Sequence, residues 1–205
     1  MIRVVSIFTT GEADSAFAKK RSVLGALLVF TAPGIPMIFQ GQEFLEDGYF
    51  DDTQGLDWKK ASKFKGIHKL YRDLIKLRVG DLSDELRGLQ GQHINTLHFN
   101  HDNKILAYTR SHDEHGHCPV LVIINFSNST FENYDIGVPI GGLWETAFNS
   151  SCDGYDEKDF SLVKAKLHMA SGEPYDNQPH KLTFSIAEYG ALILNGCDKN
   201  RRDYD

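Results

Sequence analysis

The carboxylates and imidazoles of this chain gather in a few places, and each gathering suggests a chemistry. Glu46, Asp47, Asp51 and Asp52 crowd one short stretch. Hard oxygen ligands at that density can hold calcium, but their spacing is not that of an EF-hand loop, so a solvated acidic loop is expected. His112, His115, His117 and Cys118 are zinc-type donors. They fall in a polar hairpin with no second ligand group fixed nearby, so an exposed turn is expected and no metal is assigned. His101-Asp102 and His112-Asp113 set an imidazole beside a carboxylate, the components of acid–base catalysis. Both pairs fall in expected β hairpins, which argues against a catalytic role. No G-x-G-x-x-G, P-loop or G-x-S-x-G elbow occurs, so no cofactor and no serine nucleophile are expected.

The elements that must carry these residues change character near residue 80. Asp14 or Ser15 can cap a helix over 14–30. Phe17, Arg21, Leu24 and Leu28 mark one face of it. Val23, Leu27 and Phe30 make its second half apolar nearly all round, which predicts burial. Ala32-Pro33-Gly34 stops it. Residues 35–40 read as a short, fully buried strand of the parallel type. A polar loop follows over 41–62. A second helix is expected over 62–78, with Phe64, Ile67, Tyr71, Leu74 and Leu77 on one stripe and Gly80 at its end. Helix, strand, loop, helix is a piece of an α/β wheel. Beyond it, strands are expected at 93–100, 104–111, 119–126, 132–138, 142–149, 162–169, 181–186 and 190–195. Asp102-Asn103 suits a tight turn between the first two. Such spacing predicts an antiparallel sandwich or Greek-key barrel. Trp144, Tyr134, Phe131 and Tyr155 could form a sugar-stacking surface, but aromatics in strands are expected in the core.

Composition narrows the partners. The 205 residues are 41% hydrophobic and 24% charged, enough for one medium core or two small ones. A net charge of −6 argues against nucleic acid or an anionic membrane as partner, and suits a neutral polymer. Cys118, Cys152 and Cys197 form no C-x-x-C, which argues against a disulfide framework and fits a reducing compartment, cytoplasmic or plastid-like. The sequons at Asn125, Asn128 and Asn149 are read as chance occurrences in that setting. The opening Met1-Ile2-Arg3-Val4-Val5 lacks the long apolar core of a signal peptide. The most apolar stretch, 24–39, is broken by Pro33, Gly34 and Pro36, short of the roughly 20 residues a membrane span needs.

One motif ties these elements together: Gly34-Ile35-Pro36-Met37-Ile38-Phe39-Gln40-Gly41-Gln42-Glu43, of the form G-x-P-x-x-x-x-G-x-E. Gly34 and Pro36 set a bend into the strand, and Gly41 permits a sharp turn at its far end. Glu43 then stands just past the strand's C-terminal end, where barrel enzymes gather functional groups. The motif resembles the eighth barrel strand of the α-amylase superfamily (glycoside hydrolase family 13). The 14–22 stretch is similar to that family's preceding helix. Phe39-Gln40-Gly41-Gln42-Glu43-Phe44, Leu56-Asp57-Trp58 and the 70–78 stretch are similar to 1,4-α-glucan branching-enzyme and trehalohydrolase-like members. The 122–127 and 189–194 strands look like the family's C-terminal β domain.

The resemblance implies an α+β chain. Residues 1–80 would be the last helix–strand–helix portion of a TIM barrel, 81–197 an all-β antiparallel sandwich, and 198–205 a tail. It implies an enzyme that transfers or hydrolyses α-glucosidic bonds of starch or glycogen with a pair of carboxylic acids. The family's catalytic acids come from earlier barrel strands. No catalytic residue is therefore assigned here, the chain alone is expected to be inactive, and an upstream barrel portion is the expected partner. Gln42, Glu43, Phe44 and Trp58 are the candidate substrate-rim residues. For Glu43 both a sugar contact and a loop-orienting role remain open. For the other three, the alternative is ordinary loop packing. The rival for the whole chain is a non-catalytic β-sandwich module that binds glucan or supports a partner.

Overall fold

The computed structural model describes residues 15–47, 51–80, 88–114, 118–152, 154–155 and 166–196. The opening pentapeptide, Asp14, His115, His117, residues 162–165, Cys197 and the 198–205 tail, all invoked above, lie outside the described residues.

Helix α1 spans Ala16–Thr31. Ser15 stands before it in extended conformation, and its hydroxyl oxygen accepts the Ala18 N–H at 3.2 Å, as an N-cap does. Pro33 and Gly34 (φ 98°) turn the chain away from helical geometry. A 3-10 turn at Gln42–Phe44 is entered through Gly41 in the left-handed region (φ 78°). A Cβ at position 41 would stand 2.5 Å from the Glu46 Cβ, so glycine is required there on two counts. The helix expected over 62–78 is two pieces, α2 (Lys59–Lys63) and α3 (Lys65–Val79), broken at Phe64 (φ −108°, ψ 41°). Phe64, Ile67, Tyr71, Leu74 and Leu77 are buried as one stripe. Gly80 caps α3 with φ 77°, and its N–H reaches the Leu77 and Lys76 carbonyls.

The strands are β1 (His93–Asn100), β2 (Ile105–Ser111), β3 (Val120–Asn125), β4 (Phe131–Val138), β5 (Gly142–Asn149), β6 (Leu167–Ala170), β7 (His180–Ile186) and β8 (Ala191–Asn195). Apart from β6, each begins and ends within one residue of the expectation. Six of them form an antiparallel sheet in the order β1-β2-β3-β8-β5-β6, and β4 pairs with β7 in a two-stranded ribbon. The fold is thus mostly antiparallel β with few helices.

The large sheet is a middle layer. Period-two alternation sends Val120, Val122, Ile124 and Ile193 to the helices, where they meet Leu24, Leu27, Leu70 and Leu74. It sends Leu121, Ile123, Leu192 and Leu194 to the β4–β7 ribbon, where they meet Ile136, Leu182 and Phe184. Trp144 and Phe148 of β5 have the same parity yet face opposite layers. A register shift between Thr146 and Phe148 explains this, because one extra residue flips the face of all that follow.

Two expectations differ from the structure. Residues 35–40 pair with no strand among the described residues, and Ile35 is 97% exposed. A parallel strand exists only through neighbours on both sides, and this segment has none here. The second half of α1 is not buried all round: Leu28 and Val29 lie partly in solvent. Only one flank of α1 meets α3 and the sheet.

No helix among the described residues is long and apolar enough to cross a membrane.

Candidate functional site

The exit of α1, from Thr31 to Gly34, is held by two buried arginines. Arg78, near the end of α3, donates to the carbonyls of Ala32 (3.1 Å), Gly34 and Leu89. Arg110, near the end of β2, donates to those of Thr31 and Gly91, and to Leu89 and His93 at 3.2 Å each. The carbonyls at the C-terminus of α1 carry the negative end of the helix dipole, which suits a cation. Burial lowers both guanidinium pKa values, and the two like charges add to the effect at Arg110. Thr31 and Tyr108 close the joint with a 2.6 Å hydroxyl–hydroxyl bond. The exit of α1 is therefore bolted to the β sheet, and the chain beyond Gly34 leaves it in a fixed direction.

The rim residues sit on the far side of that segment. Gln42 accepts the Phe39 N–H through Oε1 at 2.6 Å, which closes the turn and keeps the amide end as a donor. Phe44 is buried and supports the indole of Trp58, 5.4 Å away between ring centres. Trp58 itself is 68% exposed. Glu43 points inward. Its Oε2 is buried with no hydrogen-bond partner among the described residues. Its charge adds to the rise of the Tyr71 phenol, whose pKa is pushed up to about 12, mainly by burial. A flat apolar ring beside amide donors can hold a neutral polyhydroxy ring.

The acidic loop is not simply solvated. Glu46 is buried, and its carboxylate accepts from the Lys60 ammonium at 2.7 Å and the Asp57 N–H at 2.8 Å. Asp47 takes the same ammonium at 2.5 Å. Burial alone would lower the Lys60 pKa, but the bonds from Asp47 and Glu46 outweigh it and raise it. Asp51 is spent on the Thr53 N–H and hydroxyl. Glu46 and Asp47 thus tie the chain after the 3-10 turn to Lys60 of α2. Among the described residues, no three His, Cys, Asp or Glu side chains converge on a metal position.

The remaining candidates are scattered. His112 and Cys118 are exposed. Trp144 is fully buried with its indole N–H on the Ile140 carbonyl, and Tyr155 stacks on Phe148 in the core. Phe131 and Tyr134 pack on the ribbon side. Asn125, the first sequon, spends its side-chain amide N–H bonds on the Ser129 and Ala187 carbonyls. The arginine pair carries no motif. The sign in the sequence was a lone cation at a core-facing position of a buried strand, Arg110 sharing parity with Tyr108. The His98 imidazole, set between Asp176 (2.6 Å) and Tyr134 (2.9 Å), also escaped notice, because its partners lie far off in sequence.

The model of the alpha amylase C-terminal all-beta domain matches residues 97–196, from the second half of β1 through β8. Relatives extend the likeness into the helices. The chain is 29% identical over 192 residues to 1,4-alpha-glucan branching enzyme 2 of Xanthomonas oryzae pv. oryzae, covering 90% of this chain and 25% of that protein. It is 28% identical over 191 residues to the branching enzyme of Bacillus cereus (strain Q1), covering 90% of this chain and 28% of the other. It thus spans about a quarter of the length of the curated relatives it matches. Among solved structures, a debranching enzyme from Nostoc punctiforme superposes with TM-score 0.60 at 17% identity, over 86% of this chain and 31% of that one. A pullulanase complexed with maltotetraose, from Anoxybacillus sp., superposes at 0.56 and 18% identity, over 89% and 24%. These two show a shared fold. The likeness to the alpha amylase C-terminal domain thus covers the strands, and the likeness to the longer relatives reaches the helices as well.

Proposed function

We propose that this chain supplies the last barrel segment and the C-terminal β domain of a protein acting on α-glucans. The whole protein would transfer or hydrolyse α-glucosidic bonds, branching being the reaction its curated relatives are named for. In this reading 1–80 ends the barrel, 81–197 is the β domain and 198–205 a tail. The catalytic acids come from polypeptide outside these 205 residues, so the chain alone cleaves nothing.

One observation carries the reading. Residues 33–40 leave the arginine joint extended, apolar and exposed, with Ile35 and Met37 in solvent at the end of a rigid anchor. A segment fixed at its root, with apolar side chains in solvent and no strand pairing among the described residues, is what an edge strand requires of its neighbour. Gly34, Pro36 and Gly41 shape it. At its far end Gln42 and Trp58 would touch sugar, Phe44 would support the indole, and Glu43 would orient the turn.

The test is a split enzyme. The Bacillus cereus branching enzyme, cut before its matching quarter, is co-expressed with this chain, and branching is read by iodine staining. Co-purification with restored branching is expected. A co-folded pair that stays inactive, or a failure of the two to associate, overturns the proposal.

A further inference from the structure

A second cleft, of about 490 Å³, opens where the β1–β2 hairpin, the loop after β3 and the β7–β8 turn meet. It draws on none of the elements that carry the Gln42–Trp58 rim. The rings of Phe126, Phe131 and Tyr189 line it, together with Asn103, Lys104 and Asn128. Its volume falls within the roughly 300–1,000 Å³ typical of small-molecule sites.

The cleft is built, not left over. Asn125 sits beneath it and ties the loop after β3 to the β7–β8 turn. Its amide donates at 2.8 Å to both the Ser129 and Ala187 carbonyls, and its Oδ1 accepts the Ser127 N–H and hydroxyl. The Phe126 N–H donates to the Lys104 carbonyl and the Tyr189 N–H to the Ser127 carbonyl, each at 2.9 Å. All three loops are thus cross-bonded through the backbone. Two of the lining residues are also left-handed: Lys104 (φ 56°) and Tyr189 (φ 47°). Large side chains rarely adopt that conformation, and surroundings that enforce it tend to be functional. A site held in shape before its ligand arrives loses little entropy on binding.

The lining selects the ligand. Phe126, Phe131 and Tyr189 are half-buried on the cores below and add an apolar share to a mainly polar wall. Asn103 and Asn128 offer amides that both donate and accept. Lys104 brings one cation and the neighbouring Asp102 one anion, so the cleft carries no net charge of its own. An apolar ligand would strand the amides, and a phosphate-like anion would meet Asp102. A neutral sugar matches, with hydroxyls around its edge and C–H groups on its faces. We propose that this cleft is an accessory site that holds a short stretch of α-1,4-glucan on the β domain without cleaving it. The choice of α-glucan rests on the functional reading above; the fit to a neutral saccharide does not.

The test uses the isotope-labelled 205-residue chain and maltoheptaose. Backbone amide shifts are expected at Asn103, Lys104, Asn128 and Tyr189. Asn128→Arg, which pushes a long cation into the opening, and Asn103→Ala are each expected to weaken binding about tenfold. The rest of each spectrum reports whether the variant is folded, and Asn103→Ala decides the matter if Asn128→Arg is not. Cellohexaose at the same concentration is expected to leave these amides nearly unmoved. Shifts confined to the Gln42–Trp58 rim overturn the cleft and leave the glucan reading standing. Equal shifts with both sugars overturn the α-glucan assignment. Binding that survives both substitutions overturns the site. The split-enzyme assay is independent of every one of these results.

Discussion

Two apolar hexapeptides in this chain meet opposite fates. Val120–Asn125, VLVIIN, is buried at every position. Residues 35–40, IPMIFQ, form no strand among the described residues, and Met37 is 76% exposed. Both are mainly apolar, though the second carries Pro36. The first has β2 on one side and β8 on the other, with helices above and the β4–β7 ribbon below. The second has an anchored root and no paired strand among the described residues. Strand character belongs to the pairing, and an apolar run is only a request for it.

Charge placed in each run tests the contrast most strongly. Ile123→Asp buries a carboxylate between the sheet and the ribbon with no partner, and is expected to destabilise by about 4 kcal/mol or more. Met37→Asp, in the exposed run, is expected to move stability by less than about 0.5 kcal/mol. Urea unfolding reads both. The order should reverse in the split enzyme, where Met37→Asp is expected to cut the yield of co-purified pair severalfold. Equal destabilisation of the isolated chain by the two would break the comparison, because it would mean 35–40 is already packed.

The joint between the two regions comes next in size. Arg110→Leu removes the donor from the carbonyls of Thr31, Gly91 and His93 while keeping an apolar stem. A cost of about 3 kcal/mol is expected, since several acceptors lose a charged partner at once. Arg78→Leu should free Gly34 as well, and limited proteolysis at 33–40 should quicken before global stability falls. If cleavage there is unchanged, the exposed run is not held by its root.

How well each part could be read from sequence follows the same division. The β strands were legible because alternation and turn residues are local signals. Ser15, Gly41 and Gly80 were legible because caps and left-handed turns have few solutions. Residues 35–40 misled because a buried run and an unpaired one have the same letters. The break at Phe64 left the apolar stripe intact, so periodicity could not show it. Lys60 hid the fate of Glu46 and Asp47, because an ammonium that folds a loop looks from sequence like any surface lysine. Arg78 and Arg110 join segments dozens of residues apart, and no spacing rule reaches that far.

One ion pair, Lys20–Glu188, and one hydroxyl bond, Tyr155 to Asp73, staple the helices to the β domain, and Lys69 pairs with Asp73 within α3; together they give the closed region a pH signature. Asp73 accepts from Lys69 and from the Tyr155 hydroxyl. Glu188 accepts from Lys20 and Thr130. Burial alone would raise both carboxyl pKa values, but the bonds outweigh it, and both lie below the ordinary 3.8 and 4.5. A carboxyl depressed by folding contributes stability that is complete above its unfolded pKa and lost as pH falls through its folded one. Both pairs are partly exposed, so the loss is of order 1 kcal/mol or less. The stability gap between wild type and Lys20→Met, Lys69→Met should be full near about pH 6 and close towards about pH 3. A gap that stays constant would remove these pairs from the joint.

The smallest effect on the isolated chain is expected at the rim. Trp58→Ala deletes an exposed ring that leans on Phe44, and should change stability by less than about 0.5 kcal/mol. Its meaning lies in the assembled enzyme. A ring that stacks on sugar in the ground state and transition state alike contributes uniform binding, so its loss raises KM and leaves kcat nearly alone. A rise of a few fold in KM for the split enzyme is expected, consistent with losing one aromatic contact of about 1 kcal/mol. A Met37→Asp chain would instead give less assembled enzyme with an unchanged KM. Association and sugar contact thus separate along one short segment, the first set by its unpaired middle and the second by its far end. An unaltered KM in Trp58→Ala would reduce the indole to a cover for Phe44 and leave Gln42 as the remaining rim donor.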